Sequence, residues 1–383
     1  MPHGMLEVLF PYLVVVYLVE SPERVGVAQM VLMLPGLFFM LIGGVVADRV
    51  NKRTMLVALH LVNVIPVSGL VLAIWMGDLG YRGILIFALA SGTAWAFVQP
   101  VQDAMLNRVS GGNLQRSITA SILVMYGTNL AGYLLASRAE QVGIIGLLGI
   151  YALLVGGGSF FSARLPSLLP EKERQGRSVV GEIREGLGLV LRSRRMLPPP
   201  TLLTLFGGLF LGGPYAVLLP LMLREFYGGG AQEIAFAYIS FVLGGATSTT
   251  WLLRRGGMER PGRALAVGYV FSGIALLGWS SRVPYWGFFA VTAFWGFGGG
   301  MCHSMSRTIM QESPPASHRS RVMSVYYLAG LGTAPIGSLA AGYLVAGVGL
   351  RDALLLYGVA TFFICLLVAV LTRIWNERAK VRF

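Results

Sequence analysis

Gly44-Val45-Val46-Ala47-Asp48-Arg49-Val50-Asn51-Lys52-Arg53 stands between two apolar runs, 25–47 and 55–76. At 1.5 Å per helical residue, about 18 to 25 apolar residues cross a hydrocarbon core roughly 30 Å thick. Each run is long enough to do so. Lipid offers the backbone no hydrogen-bond partners, so runs of this kind are helices rather than strands. The quoted stretch is therefore a short polar turn, one acid among three cations, joining two spans on one side of a bilayer.

Outward from this turn the same pattern repeats. Further apolar runs fall at 83–106, 117–137, 143–163, 201–223, 233–253, 264–280, 284–307, 321–345 and 351–372, and a shorter one near 5–19 comes first. A chain that is 55% hydrophobic and 12% charged, with a mean hydropathy of +0.69, carries more apolar surface than one soluble core can hold. The expected fold is all-α and membrane-embedded, with twelve transmembrane helices in two six-helix bundles. Residues 1–163 would form the first bundle, 164–198 a linker and 199–383 the second.

The basic residues orient the chain. With both termini on the cytoplasmic side, 24 of the 30 Lys and Arg fall in cytoplasmic segments and six in outer loops, one in each. No basic residue is left for a helix centre, which is a strong positive-inside pattern. The formal charge of +13 follows from this topology and from attraction to anionic headgroups. A nucleic-acid partner is not needed to explain it. Cys302 and Cys365 lie in apolar runs and the four histidines lack ligand spacing, so neither a disulfide nor a metal site is expected.

In the linker, Val179, Val180, Ile183, Leu187, Val190 and Leu191 recur at helical spacing opposite Glu182, Arg184, Glu185, Arg192, Arg194 and Arg195. The pattern predicts an amphipathic helix on the inner membrane surface. A linker helix that merely joins the halves has the same pattern.

The halves also resemble each other. Gly127-Thr128-Asn129-Leu130-Ala131-Gly132-Tyr133-Leu134 matches Gly337-Ser338-Leu339-Ala340-Ala341-Gly342-Tyr343-Leu344 at an offset of 210, and Gly43-Gly44 matches Gly244-Gly245 at 201. Internal repeats of this kind build carriers around a site at the middle of the membrane. By these offsets the equivalent of helix seven would begin ahead of Met1. The first helix is expected to be clipped, with a start upstream.

Two halves, twelve spans and the quoted loop together resemble the major facilitator superfamily. Gly44, Asp48, Arg49, Lys52 and Arg53 stand in the register of that family's loop between helices two and three; Asn51 replaces its usual Gly, as a residue that tolerates a left-handed turn. Ser317-His318-Arg319-Ser320-Arg321-Val322-Met323-Ser324 is similar to the family's RGRVMS segment, with Ser320 in place of Gly. The resemblance is nearest to the proton-driven drug, macrolide and siderophore exporters. It implies alternating access, with Asp48 latching onto the second half near helix eleven, where Arg319 and Arg321 lie.

The residues themselves support part of that picture. Asp48 can pair with a neighbouring cation or a helix N-terminus, while Arg49, Lys52 and Arg53 can meet carbonyl ends and lipid phosphates. The plainer reading makes these cations orientation signals. Ion coupling needs a group in the membrane that changes charge, and Glu7 is the first candidate, Asp103 the second. His60, Asn63, Gln99, Asn129, His303 and Arg307 are polar candidates for a substrate pocket, though interhelical hydrogen bonds would use His60, Asn63, His303 and Arg307 equally well. Gly127, Gly132, Gly337 and Gly342 are candidates for gating or close packing.

Tyr12, Trp95, Phe97, Tyr126, Phe206, Tyr215, Phe241, Trp295 and Tyr327 favour a lipophilic or amphiphilic cargo, as do the few fixed charges. The chain's three lysines, Lys52, Lys172 and Lys380, never follow Gly, so a phosphate loop of the Gly-Lys-Ser/Thr type is excluded. An integral-membrane transferase would need acid pairs or a His box, and neither is present. The expected activity is proton-coupled export by a monomer in a bacterial inner membrane, with the proton gradient as energy source and no cofactor. Import, facilitated diffusion and lysolipid flipping are the alternatives within the same architecture.

Overall fold

The computed structural model describes residues 1–109, 114–167, 179–193, 198–255, 258–314, 319–372 and 375. Within helices, the side chains of residues 40–49, 99, 100, 103, 104, 106–109, 114–123, 179, 180, 182, 183, 186, 319–321 and 324 fall outside that description. The chain is 88% helical, and no strand occurs among the described residues.

The first half runs α1 (Pro2–Pro11), a π-helical turn (Tyr12–Tyr17), α2 (Pro22–Arg49), α3 (Lys52–Trp75), α4 (Tyr81–Val109), α5 (Leu114–Ala136), the short α6 (Ala139–Val142) and α7 (Ile144–Ala163). Then come α8 (Val179–Arg192), α9 (Pro198–Gly207), a second π turn (Gly208–Gly212), α10 (Gly213–Tyr227), α11 (Ala231–Arg254), α12 (Pro261–Ser280), α13 (Tyr285–Glu312), α14 (Arg319–Val348) and α15 (Leu350–Leu371). With each π turn counted into the helix it interrupts, twelve described segments fall on the twelve predicted spans. Eight are long and apolar enough by themselves to cross a membrane, and Pro2–Tyr17 is a shorter apolar helix.

Contacts divide the chain into two compact units. One holds Met1–Val179 with Gly229–Ala235, the other Val180–Gly228 with Phe236–Phe383. In the first unit α1 packs on α5, α2 on α4 and α3 on α7. In the second, α10 packs on α14 and α12 on α15, while α11 meets α13 through Gly244 and Gly296. Each half thus pairs its first helix with its fifth, its second with its fourth and its third with its sixth.

Glycine makes these pairings close. Lipid is as apolar as leucine, so helices in it associate by surface fit, which small residues improve. A side chain on Gly132 would collide with the Met1 carbonyl, and one on Gly92 with the Leu32 carbonyl. In the other unit Gly213 is held against Ala334 and Ser338, and Gly244 against Ala293. A further match is conformational: Gly143 and Gly349, the N-caps of α7 and α15, have φ of 84° and 86°. A side chain at either position would be strained, because positive φ of this kind is open to Gly.

Two local expectations are corrected. Asn51 does not make a left-handed turn; its φ is −66° and ψ 114°, and its side chain caps α3 by accepting from the Arg53 amide at 3.1 Å. A capping acceptor, not a glycine-like conformation, is what that position requires. Lys52, expected at lipid phosphates, is 2% exposed. In α8, Val190 packs with Met310, Val322, Val325 and Tyr326, and Leu189 joins them. Leu187 and Leu191 are exposed. The helix is thus seated on its own unit through one edge.

Candidate functional site

In the second unit the interrupted helix α9–α10 opens a cavity of about 420 Å³. The π turn and its flanks supply Gly207, Gly208 and Gly212, α13 supplies Gly299, and α14 supplies Gly330. These glycines line the space while bringing backbone close to neighbours: a side chain on Gly208 would collide with Thr333 and Gly330, and one on Gly207 with Tyr269. The wall is aromatic. Tyr215 sits at the centre of a ring cluster, 4.7 Å from Phe241, 5.1 Å from Trp295 and 5.5 Å from Tyr238 between centroids. Edge-to-face and tilted arrangements like these hold rings rigidly and leave π-faces for a ligand.

Polar atoms around the cavity are mostly used internally. The Thr204 hydroxyl donates to the Pro200 carbonyl at 2.7 Å and lies 3.1 Å from that of Ser306. The Tyr269 hydroxyl donates to the Leu203 carbonyl, Ser272 to Gly268, and the Cys302 thiol to Leu265 at 3.5 Å. Of the candidate pocket residues, His303 does line this space. Its ring has no hydrogen-bond partner among the described residues. Arg307, one turn further along α13, is half-buried and outside the lining.

The first unit gathers a different set. Glu7 on α1 accepts a hydrogen bond from the Tyr133 hydroxyl of α5 on one carboxylate oxygen. Its other oxygen lies 3.3 Å from His3 Nε2, one helical turn back. The His3 ring stacks on Trp95 of α4, with centroids 4.2 Å apart and planes within 2°. Trp95 is the fifteenth of the 29 residues of α4, so this cluster reaches the middle of a span. Glu7 is therefore held between α1 and α5, and through His3 the cluster reaches α4, with about a third of the Glu7 side chain exposed.

Other predicted residues are placed otherwise. His60 and Asn63 are corrected as pocket groups: His60 fills the space beside Gly158 of α7, and Asn63 hydrogen-bonds the buried Tyr151 hydroxyl of the same helix. They fasten α3 to α7. Asn129 packs through its backbone on Gly4. Among the glycines, Gly132 and Gly337 are close-contact points and Gly342 is buried, whereas Gly127 has open space around it and brings no helices together.

The backbone of the loop stretch is in place, with Gly44, Asp48 and Arg49 in the last turns of α2 and Lys52 and Arg53 opening α3. Arg53 is exposed. Lys52 Nζ is buried and has no hydrogen-bond partner among the described residues. The side chains of Gln99, Asp103, Arg319, Arg321, Asp48 and Arg49 lie outside the described residues.

Reading the sequence missed His3, Thr204, Tyr269, Cys302 and Ser306. The His3–Glu7 spacing of four was a visible signal, since residues four apart share a helix face. The glycines of 207–213 and 298–300 were visible too.

The family model of the Major Facilitator Superfamily matches residues 3–334 and again 263–382. No curated protein matches the chain. Among solved structures, a mutant form of the nucleoside transporter NupG superposes with a TM-score of 0.77 at 12% identity, covering 96% of each chain. An auto-inhibited peptide transporter of the POT family gives 0.72 at 16% identity, over 100% of this chain and 97% of that one. A structure from work on proton-dependent oligopeptide transporters gives 0.71 at 13%, over 98% and 95%. Such identities speak for the fold alone. With twelve paired helices, glycine-sealed repeats and a family model spanning nearly its whole length, the chain belongs to the major facilitator superfamily and is an integral membrane transporter.

Proposed function

We propose that this transporter exports a lipophilic or amphiphilic small molecule in exchange for protons. The observation that carries the reading is the cavity of about 420 Å³ walled by Tyr215, Phe241 and Trp295. The hydroxyls of Thr204, Tyr269 and Ser272 are engaged with backbone carbonyls, so the wall offers a ligand mainly apolar contact and ring stacking, with His303 among its few polar groups. A densely hydroxylated or multiply charged cargo would lose its water there without replacement partners. Glu7, held by Tyr133 and His3, is the acid best placed to exchange a proton as the bundles rock.

The same reading has both termini cytoplasmic, in keeping with the basic residues, and a bacterial inner membrane as the site of action. It resembles the exporter branch in its loop residues, and it needs one chain, a bilayer and a proton gradient. Import of a nucleoside or peptide is the rival within the fold.

Inside-out membrane vesicles test both. An imposed gradient, acid inside, should drive accumulation of an uncharged lipophilic dye, and a protonophore should abolish it. Preference for a nucleoside or dipeptide over the dye, or accumulation indifferent to the gradient, would overturn the proposal.

A further inference from the structure

Four side chains on three helices converge at the start of the chain. His3 Nε2 lies 3.3 Å from one Glu7 oxygen, Tyr133 donates to the other, and Trp95 covers the imidazole face. Both His3 and Glu7 keep about a third of their side chains exposed, 33% and 34%. The pair is thus anchored on one side and open on the other, as a site that must exchange a proton requires.

We infer that His3 and Glu7 form one proton-binding site, in which the imidazole carries the proton and the carboxylate is its fixed counter-ion. The inference rests on the proton-coupled reading above and assigns to His3 the role that Glu7 alone would otherwise fill. A carboxylate that receives donors on both oxygens is favoured in its ionised form. Tyr133 supplies one such donor permanently. The remaining oxygen faces Nε2, and histidine is the side chain that ordinarily gains and loses charge between about pH 5 and 8. A proton arriving from water on the open side adds to the ring nitrogen away from Glu7 and makes an imidazolium whose Nε2–H stays paired with the carboxylate. Its departure restores the neutral ring.

No other charged group forms an ion pair or hydrogen bond with either residue among those described. From α5 the facing titratable group is Tyr133; from α4 it is the indole of Trp95, which does not titrate. Trp95 makes the site observable. An imidazolium stacked on indole quenches its emission more than a neutral imidazole does, and the parallel rings are in contact.

The test uses the purified full-length protein without any cargo. Subtracting the emission of Trp95→Phe from that of the unmodified chain isolates this one indole among seven tryptophans. The difference signal should fall on acidification. His3→Gln should lose that response, and Glu7→Gln, which keeps the imidazole but removes its counter-ion, should alter the pH at which it occurs. Should His3→Gln not fold, the Glu7→Gln result alone decides. A signal that ignores pH, or one that survives His3→Gln or is unmoved by Glu7→Gln, overturns the inference. Since no transport is measured, a carrier that moves cargo without protons would still show this titration while its flux ignored the gradient, so the two failures are distinguishable.

Discussion

Lys52 shows how one side chain can depart from the rule its position seems to obey. As the opening residue of α3 in a cationic turn it reads as a surface charge, yet it is buried and its Nζ has no hydrogen-bond partner among the described residues. A buried ammonium without a counter-charge costs stability, and an apolar residue of similar length removes that cost. Lys52→Met should leave the thermal unfolding midpoint in detergent unchanged or raise it, by the equivalent of about 1 kcal/mol or more. A clear fall would show that the charge has a partner. One position away the logic reverses in favour of a polar group: Asn51→Ala deletes the cap on the Arg53 amide and should lower stability by about 1 kcal/mol, whereas Asn51→Gly, the family's residue, should cost only a few tenths. A larger loss for Gly than for Ala would refute the capping account. Neither effect was legible in the sequence, because burial and capping depend on where the neighbouring helix ends, not on residue type.

Whole elements were the legible part. Some 20 apolar residues in a row leave a chain few alternatives in lipid, so spans such as Lys52–Trp75, Ile144–Ala163 and Leu350–Leu371 follow from length and composition. Amphipathic pattern was a weaker guide. In α8 Val190 is 2% exposed and Leu191 69%, although both belong to the apolar set; Val190 is buried against Met310 and Tyr326, more than a hundred positions further along the chain and outside any local window. Val190→Asp should therefore destabilise the second unit by roughly 2 kcal/mol or more, by burying an unpaired carboxylate, and Leu191→Asp should leave the melting curve in place. Equal effects from the two would argue that α8 is not docked by that edge. The cavity was illegible for a similar reason. Glycines at 207, 208, 212, 299 and 330 come from three separate elements, and only their assembly brings them around one space. At Gly212 a methyl would meet nothing nearer than the Gly207 carbonyl oxygen at 3.7 Å, so Gly212→Ala should transport nearly as the native chain does. Gly212→Leu should fold but lose about tenfold in transport, roughly 1.4 kcal/mol of lost cargo contact. Undiminished flux in the leucine variant would mean that the cargo does not use this space.

At the scale of the molecule, the repeat explains why features far apart in sequence take the same role. First and fifth helices meet in each unit at glycines, Gly132 in one and Gly213 with Gly337 in the other, and each first helix carries a π turn. A π turn widens the helix by one residue and loosens its ladder, and beside a tight glycine contact it lets one part of the helix shift while the rest stays pinned. Two units built this way can each deform in the same manner, which is the property alternating access needs. Asp48 is then the residue expected to hold one arrangement over the other. The turn needs cations to orient in the membrane, but orientation gives no reason for an acid beside them. Asp48→Asn should accordingly leave insertion and yield unaffected while slowing transport about tenfold, the kinetic equivalent of losing a single interaction of roughly 1.4 kcal/mol from the rate-limiting step. The matching control is Arg53→Gln, at an exposed position, which should cost less. Normal flux in Asp48→Asn, with insertion verified by surface labelling, would take the acid out of the mechanism and leave the turn as a topological signal alone.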